Sequence, residues 1–530
     1  MTFPLLTFLG LLPLIGAAVL VLPVKEAGRA IGFTFALGTL AVVAAVVPLY
    51  LAGVELAVSI PWIPAFGATW ALNLDGMGLA MVAMTATLVP VVMVAEWHIP
   101  ERQGRWTGQA FFGLILFLEG LALLVFMAGD LLLFYLLFEA TLIPMYFLIG
   151  GFGTGNRSKA AIKFLLFGLA GGLIMLVPVI GSGVIAAQEL GAPTLALDAL
   201  TGVLSGGNWG KALFICFLVA FILKAPMVPV HTWLPTAAES GTPGSTALMV
   251  GILDKLGTFG MIKICLMLFP NESRWAAPVM IALALVSIIY GALAAIGSKN
   301  LLRLVAYTSI SHFGFMVLGI FTFTSVGIGG TMFYMLNHGF STGALLLVLG
   351  FLISRRGSAL VDDYGGVQKV APVLSGALLL AGLTGLALPG MATFVSEFEV
   401  LAGAWSAFDI PWPAAIAALG TVLAAVYILL MYQRTMTGSV TEKVEQTVTA
   451  DLTLRERIIG FGLSILLLVL GIFPQLILNF ITPTAEGVTE VMSTHTGVWT
   501  IDDELQGDQI VTIYDDGTVV ATPAKDQEAK

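Results

Sequence analysis

Apolar runs of about 20 residues, each long enough to cross a bilayer as an α-helix, recur along this chain and constrain its fold more than any other feature. They lie near residues 4–23, 30–51, 74–95, 107–127, 129–150, 161–187, 211–233, 244–268, 278–297, 301–321, 326–353, 372–403, 412–433 and 457–481. In hydrocarbon every backbone N–H and C=O must be satisfied by the chain itself, so runs of this length fold as helices. A membrane β-barrel would instead show alternating segments of roughly ten residues. The expectation is an all-α integral membrane protein with about 14 transmembrane helices. Only 10% of the 530 residues are charged, too few for the surface of a soluble globule. The first run has no basic stretch before it and no clear cleavage site after it, and reads as a retained helix. Cys216 and Cys265, the two cysteines, both sit inside apolar runs. A disulfide framework, a Cys-ligated iron–sulfur cluster and a Cys-based zinc site are therefore excluded. The five histidines are too scattered for a clear metal motif, and neither a Rossmann glycine pattern nor a haem motif is present.

The basic residues set an orientation. With the N-terminus outside, sixteen of the 23 Lys and Arg residues fall in inside loops, four in outside loops or the tail, and three within spans. That asymmetry predicts an even helix count with both termini on the outer face. The three within spans are Lys224, Lys255 and Lys263; Lys263 lies near a helix end, where it can snorkel. Residues 482–530 hold ten acidic residues and two lysines and read as an acidic extramembrane tail. Within it, Asp515-Asp516-Gly517 between β-branched runs reads as a hairpin turn.

A charge at mid-bilayer costs at least ~2.5–3.5 kcal/mol, yet several are retained. Glu119 lies in the fourth run, Glu139 in the fifth, Lys224 in the seventh, Asp254 and Lys255 in the eighth, and Glu397 and Glu399 in the twelfth. His312 and His338 lie in the tenth and eleventh. Both signs recur at depth on successive helices, as a hydrated proton path requires. Pro226, Pro229 and Pro235 interrupt the seventh helix and Pro389 the twelfth, because proline removes an N–H and clashes with the preceding turn. Each break has an ionisable residue beside it: Lys224 before Pro226, Glu397 after Pro389. Helices 4–8 and 9–13 form two sets of five, an odd number, so the sets run with opposite topology in the inverted-repeat plan of transporters. The expected organisation is an N-terminal three-helix segment (1–106), a first repeat (107–268), a second repeat (278–435), helix 14 (457–481) and the tail (482–530).

Several stretches taken together carry a family resemblance. They are Phe138-Glu139-Ala140-Thr141-Leu142-Ile143-Pro144, Val230-His231-Thr232-Trp233-Leu234-Pro235, Lys255-Leu256-Gly257-Thr258-Phe259-Gly260, Arg303 through His312, Leu336-Asn337-His338-Gly339, and Pro389-Gly390 to Glu397-Phe398. Over about residues 70–435 the chain resembles the antiporter-like subunits of proton-pumping NADH:quinone oxidoreductase, respiratory complex I. Its length and helix count are most similar to the M-type, and Asp254-Lys255 and Ala238-Glu239-Ser240 resemble actinobacterial versions. The resemblance implies proton translocation through Glu139, Lys224, Lys255, His312, His338 and Glu397, with Glu119, His231, Pro226 and Pro389 in support. Two departures stand out. Thr236-Ala237-Ala238 replaces the Asp-Ala-His of many members, and Asp254-Lys255 replaces their Leu-Lys. Since adjacent helix residues face different sides, Asp254 is expected to stand off the path.

The resemblance further implies a non-redox subunit of a proton-translocating oxidoreductase in the bacterial cytoplasmic membrane. NADH, FMN, iron–sulfur clusters and quinone would be held by other subunits. Expected partners are the L- and N-type antiporter-like subunits and lipid, with no nucleic acid. A subunit of a monovalent cation/proton antiporter, which has the same fold, is the alternative. A purely structural scaffold fits the buried charges poorly.

Overall fold

The computed structural model describes residues 4–23, 27–99, 106–408, 411–496, 509–513 and 519–523. Ten of the described helices are long and apolar enough to cross a membrane, or eleven if the bent pair Leu454–Ile472 and Gln475–Thr494 is one span. Leu5–Val19 and Pro372–Gly385 are shorter apolar helices. Helix starts follow local chemistry. Asp75, Thr107, Asp130, Asn300 and Thr324 each accept a hydrogen bond from a backbone N–H of the first turn, which satisfies donors left free at a helix N-terminus.

The 32-residue helix Ser325–Arg356 is the hub of the bundle, and 89% of its most apolar stretch is buried. Leu301–Ile320, Ala392–Ser406, Pro372–Gly385, Pro243–Leu248 and Leu454–Ile472 all pack on it. It therefore touches helices from both expected repeats.

The two expected helix breaks are present. Helix Gly207–Lys224 stops at Lys224 and the chain resumes as a short 3₁₀ turn, Val230–Thr232, and helix Trp233–Ser240. Helix Pro372–Gly385 stops, and Ala392–Ser406 begins beyond Pro389. The last helix departs from the expectation. The chain bends by 67° between Leu454–Ile472 and the next helix, and Gln475–Thr496 runs straight through the expected boundary at 482. Its buried Phe480, Ile481, Ala485, Val488 and Met492 pack on Ser325–Arg356 and Gly76–Ala95. Charge counting put residues 482–496 in the tail, but the i, i+4, i+7, i+11 apolar spacing of Ile481, Ala485, Val488 and Met492 makes them one side of a helix. Strands Gln509–Ile513 and Val519–Pro523 pair antiparallel as the tail hairpin; its turn, Asp515-Asp516-Gly517, lies outside the described residues. A second small hairpin, Val58–Ile63 with Ala68–Leu72, fills a connection to which the sequence alone assigns no element. Asp130 pins it by accepting from Thr69 N at 2.9 Å.

Candidate functional site

In the first half, Lys224 ends its helix at the break and is buried. Its Nζ lies 3.4 Å from Thr141 Oγ1, to which it donates, and 4.7 Å from the centre of the Phe138 ring. Glu139 is on helix Leu131–Ala140. Its carboxylate occupies the notch left by Gly172 on helix Arg157–Glu189, where a Cβ would stand 2.0 Å from Glu139 Cδ. The charges of Glu139 and Lys224 act on each other, yet the two make no ion pair, and Glu139 Oε1 has no hydrogen-bond partner. The structure holds this pair open.

At the junction of the halves, the π-helical turn Met249–Leu253 precedes helix Lys255–Gly260. Such turns are frequent at functional sites because they widen the helix and free carbonyls. Here Lys255 Nζ donates to Val250 O at 2.6 Å and to His338 Nδ1 at 2.6 Å. Lys255 is fully buried, so these bonds and the Phe313 ring at 5.3 Å stand in for its hydration.

The second half continues the line. The rings of His338 and His312 lie with centroids 5.2 Å apart. His312 Nδ1 is 2.5 Å from Tyr334 Oη, and Tyr334 donates to Glu397 Oε2 at 3.0 Å. With the Tyr334 proton committed to Glu397, its oxygen accepts from His312 Nδ1–H. Nε2 of His312 then accepts from Tyr427 Oη at 3.3 Å. Thr421 donates to the other oxygen of Glu397. Lys255, His338, His312, Tyr334 and Glu397 form one buried polar line from the eighth to the twelfth candidate span.

Comparison with known proteins places this architecture. Residues 128–425, more than half of the chain, match the model of the NADH:quinone oxidoreductase/Mrp antiporter transmembrane family. The chain is 43% identical to NADH-quinone oxidoreductase subunit M of Mycobacterium tuberculosis, over 93% of this chain and 95% of that one. The chain belongs to this antiporter family. Subunit M of Rhodobacter capsulatus is 32% identical over 91% of this chain and 95% of its own length. Among solved structures, respiratory complex I from Thermus thermophilus contains a chain 32% identical with a TM-score of 0.81, covering 92% of this chain and 99% of that one. The Mrp complex from Dietzia, at 21% identity and a TM-score of 0.79 over 93% of this chain and 100% of that one, shares the fold.

Within this antiporter-family fold, the residues singled out from sequence divide. Lys255, His312, His338 and Glu397 come together, and Glu139 and Lys224 form a separate, open pair. Pro226 and Pro389 lie in the two breaks. Glu119 stands apart: it is fully buried, and neither carboxylate oxygen has a hydrogen-bond partner. His231 packs edge-on against Tyr290 with ring centroids 4.9 Å apart, and its Nδ1 has no partner; no hydrogen bond links it to Lys224. Lys263 does not snorkel freely but pairs with Asp75 at 2.6 Å, the residue that caps helix Gly76–Ala95. Among the described residues, no group of three His, Cys, Asp or Glu side chains is placed to hold a metal ion.

Sequence reasoning missed Tyr334, Tyr427 and Thr421. Tyr334 was within reach, since it precedes His338 by four positions and so shares its helix face. Tyr427 and Thr421 lie on helix Trp412–Met436, which carries no charge at depth to draw attention to it. Asp254, set aside because it neighbours Lys255, is fully buried, and its charge acts on both Lys224 and Lys255.

Proposed function

We propose that this chain is the M-type proton-translocating subunit in the membrane arm of a NADH:quinone oxidoreductase. The observation that carries the reading is the buried line from Lys255 through His338, His312 and Tyr334 to Glu397. A buried run of groups that can each take up and give up a proton, in apolar surroundings, serves to hand on protons. Membership of the family and the likeness to named M subunits support the assignment to complex I. In this reading the chain carries no redox group and acts as the translocase part of the complex, while NADH and quinone react on other subunits. Its neighbours in the membrane arm are the L- and N-type subunits, with lipid around them. Fourteen spans with both termini on the outer face of a bacterial cytoplasmic membrane fit the basic-residue asymmetry. Leu5–Val19, the short segments from Pro243 to Leu266 and the broken Pro372–Ser406 pair bring eleven spans to fourteen.

Glu139 and Lys224 act as the gate. When the pair closes, the carboxylate stabilises the ammonium and Lys224 keeps its proton. When it opens, an unpaired buried ammonium is costly and the proton moves on. Against about 200 mV, each charge costs ~4.6 kcal/mol at ~2.3 kcal/mol per 100 mV. Opening one buried ion pair leaves the ammonium uncompensated at a cost of about 3–5 kcal/mol, and shedding the proton relieves that cost, so one gate has the required scale.

The test uses Glu139→Gln and Lys224→Ala in inverted membrane vesicles, with dye-reported proton uptake and NADH oxidation normalised to assembled complex. Both substitutions are expected to lower proton uptake and coupled oxidation by about 100-fold, the scale of a lost proton-transfer group. Normal uptake in both would return these charges to a structural role.

A further inference from the structure

Two links of the path lack a hydrogen bond: His338 Nε2 has no partner, so His338 meets His312 only ring against ring, and between Lys224 and Lys255 there is a gap. Lys224 and Lys255 are both cations with no hydrogen bond between them, and a proton cannot pass directly from one ammonium to another. We propose that Asp254 bridges this gap, taking the proton from Lys224 and delivering it to Lys255; the proposal rests on the translocation reading above. Adjacent residues face different sides of a helix, and the structure shows which sides. Lys255 turns to Val250 O and His338. Gly257, three residues after Asp254 and on its face, lies so close to the broken helix that a Cβ there would stand 2.6 Å from Ala225 N and 2.7 Å from Phe221 O. The Asp254 face therefore meets the end of helix Gly207–Lys224, where Lys224 sits. Lys255 and Lys224 are the two charged groups that act on Asp254. Asp254 is fully buried, and neither carboxylate oxygen has a hydrogen-bond partner. A buried carboxylate is ordinarily hydrogen-bonded; its oxygens make no ion pair with either lysine in this arrangement, so each transfer goes with a swing of a lysine side chain toward Asp254.

The step balances without a co-reactant. An N–H bond of the Lys224 ammonium breaks as an O–H bond forms on Asp254, leaving neutral amine and neutral acid. The O–H bond then breaks as an N–H bond forms on neutral Lys255, whose previous proton has left toward His338. Asp254 ends as the carboxylate.

The test compares Asp254→Asn and Asp254→Glu with Lys224→Ala, in complex I in inverted vesicles, by proton uptake per assembled complex and by infrared difference spectra during turnover. Asp254→Asn is expected to lose at least about tenfold in proton uptake and Asp254→Glu to retain most of it. The wild-type spectrum should carry a protonated-carboxyl C=O band that vanishes in Asp254→Asn and changes position in Asp254→Glu. Uptake within twofold of wild type in Asp254→Asn overturns the bridge, as does equal loss in both variants, which marks a packing role. If Asp254→Asn does not assemble, the band in Asp254→Glu decides, and an unchanged spectrum overturns the proposal. Should Lys224→Ala also pump normally, the translocation reading itself fails; should it alone be impaired, only the bridge fails.

Discussion

In the first half, Trp233 Nε1 donates to Leu223 O at 2.9 Å across the break after Lys224. In the second, Thr393 Oγ1 donates to Thr384 O at 2.6 Å across the break at Pro389. In both, a side chain about ten residues on satisfies a carbonyl of the last helical turn, so the backbone cost of breaking a helix in hydrocarbon is met in the same way. The carboxylates of the two halves are held differently. Glu397 is bound through both oxygens, to Tyr334 and Thr421, and leads by hydrogen bonds back to His312. Glu139 has one oxygen with no partner and faces Lys224 without touching it. The first half is a loose pair suited to opening and closing; the second is a fixed line suited to conduction. Conserving a break does not fix its use, which depends on the polar groups that neighbouring helices supply.

Cutting the fixed line should have the largest effect. Tyr334→Phe removes the single group that joins His312 to Glu397, and proton uptake per assembled complex is expected to fall by about 100-fold. Tyr427→Phe removes only the longer 3.3 Å contact to His312 Nε2 and should cost a few-fold at most. Equal effects from the two would mean that the hydroxyls act through packing, and the contrast between the halves would lose its second member.

The loose pair can be perturbed without touching a charge. Gly172→Ala places a methyl where the Glu139 carboxylate now sits and should push it from its notch. Proton uptake is expected to drop several-fold in the wild-type background and not to change further in a Glu139→Gln background. That non-additivity is what a shared contact produces. Additive losses would show that Gly172 serves helix packing alone.

Much of this contrast is legible in the sequence. Prolines near Lys224 and Glu397 point to the breaks because proline removes an N–H and clashes with the preceding turn, although lone prolines such as Pro90 and Pro178 sit inside unbroken helices; buried charges stand out against apolar surroundings. The partners are not legible. Tyr334, Tyr427 and Thr421 are ordinary residues in membrane helices until the packing of Ser325–Arg356 against Ala392–Ser406, and of Trp412–Met436 against Ala392–Ser406 and Leu301–Ile320, brings them to His312 and Glu397. For Asp254, helical direction says only that it faces away from Lys255; that its side of the helix packs against the end of helix Gly207–Lys224 is visible only in the fold. The end of the last span was misplaced because acidic residues between apolar positions on one helix face dilute the hydropathy signal.

The halves also differ in how they are braced at the membrane surface. Arg355 at the end of the hub helix pairs with Glu456 through two nitrogens, at 3.0 and 2.7 Å, with both side chains largely buried. Asp451 accepts from Val373 N and Leu374 N at the start of the second broken helix. The first broken helix is held beyond its break by Lys163, which donates to Thr232 O and Thr236 Oγ1. Arg355→Ala strands a buried carboxylate and should cost about 3–5 kcal/mol, read as loss of assembled complex in detergent extracts. Lys163→Ala should lower assembly by less than half, since exposed pairs and bonds contribute about 0–1 kcal/mol. The reverse order would place the rigid half on the wrong side of the comparison.

The smallest effect lies in the loop after the hub helix. The Ser358 hydroxyl at 2.6 Å and the Lys443 ammonium at 3.0 Å hold the Asp363 carboxyl below the ordinary carboxylate range, and Arg356 adds a 3.6 Å contact. A carboxyl with a lowered folded value binds protons more readily in the unfolded chain, so its contribution to stability is full above the ordinary value, about 4, and fades as the pH falls through the lowered one. Wild type and Asp363→Asn should therefore differ slightly in thermal unfolding of the purified complex near neutral pH, and the difference should shrink only below about pH 4. Lys443 is mostly exposed, so salt should also reduce the difference at neutral pH by screening. A gap that persists unchanged into acid would show that Asp363 braces the loop by shape and hydrogen bonding alone. The second half's rigidity would then rest on Arg355 and Asp451 without help from this carboxylate.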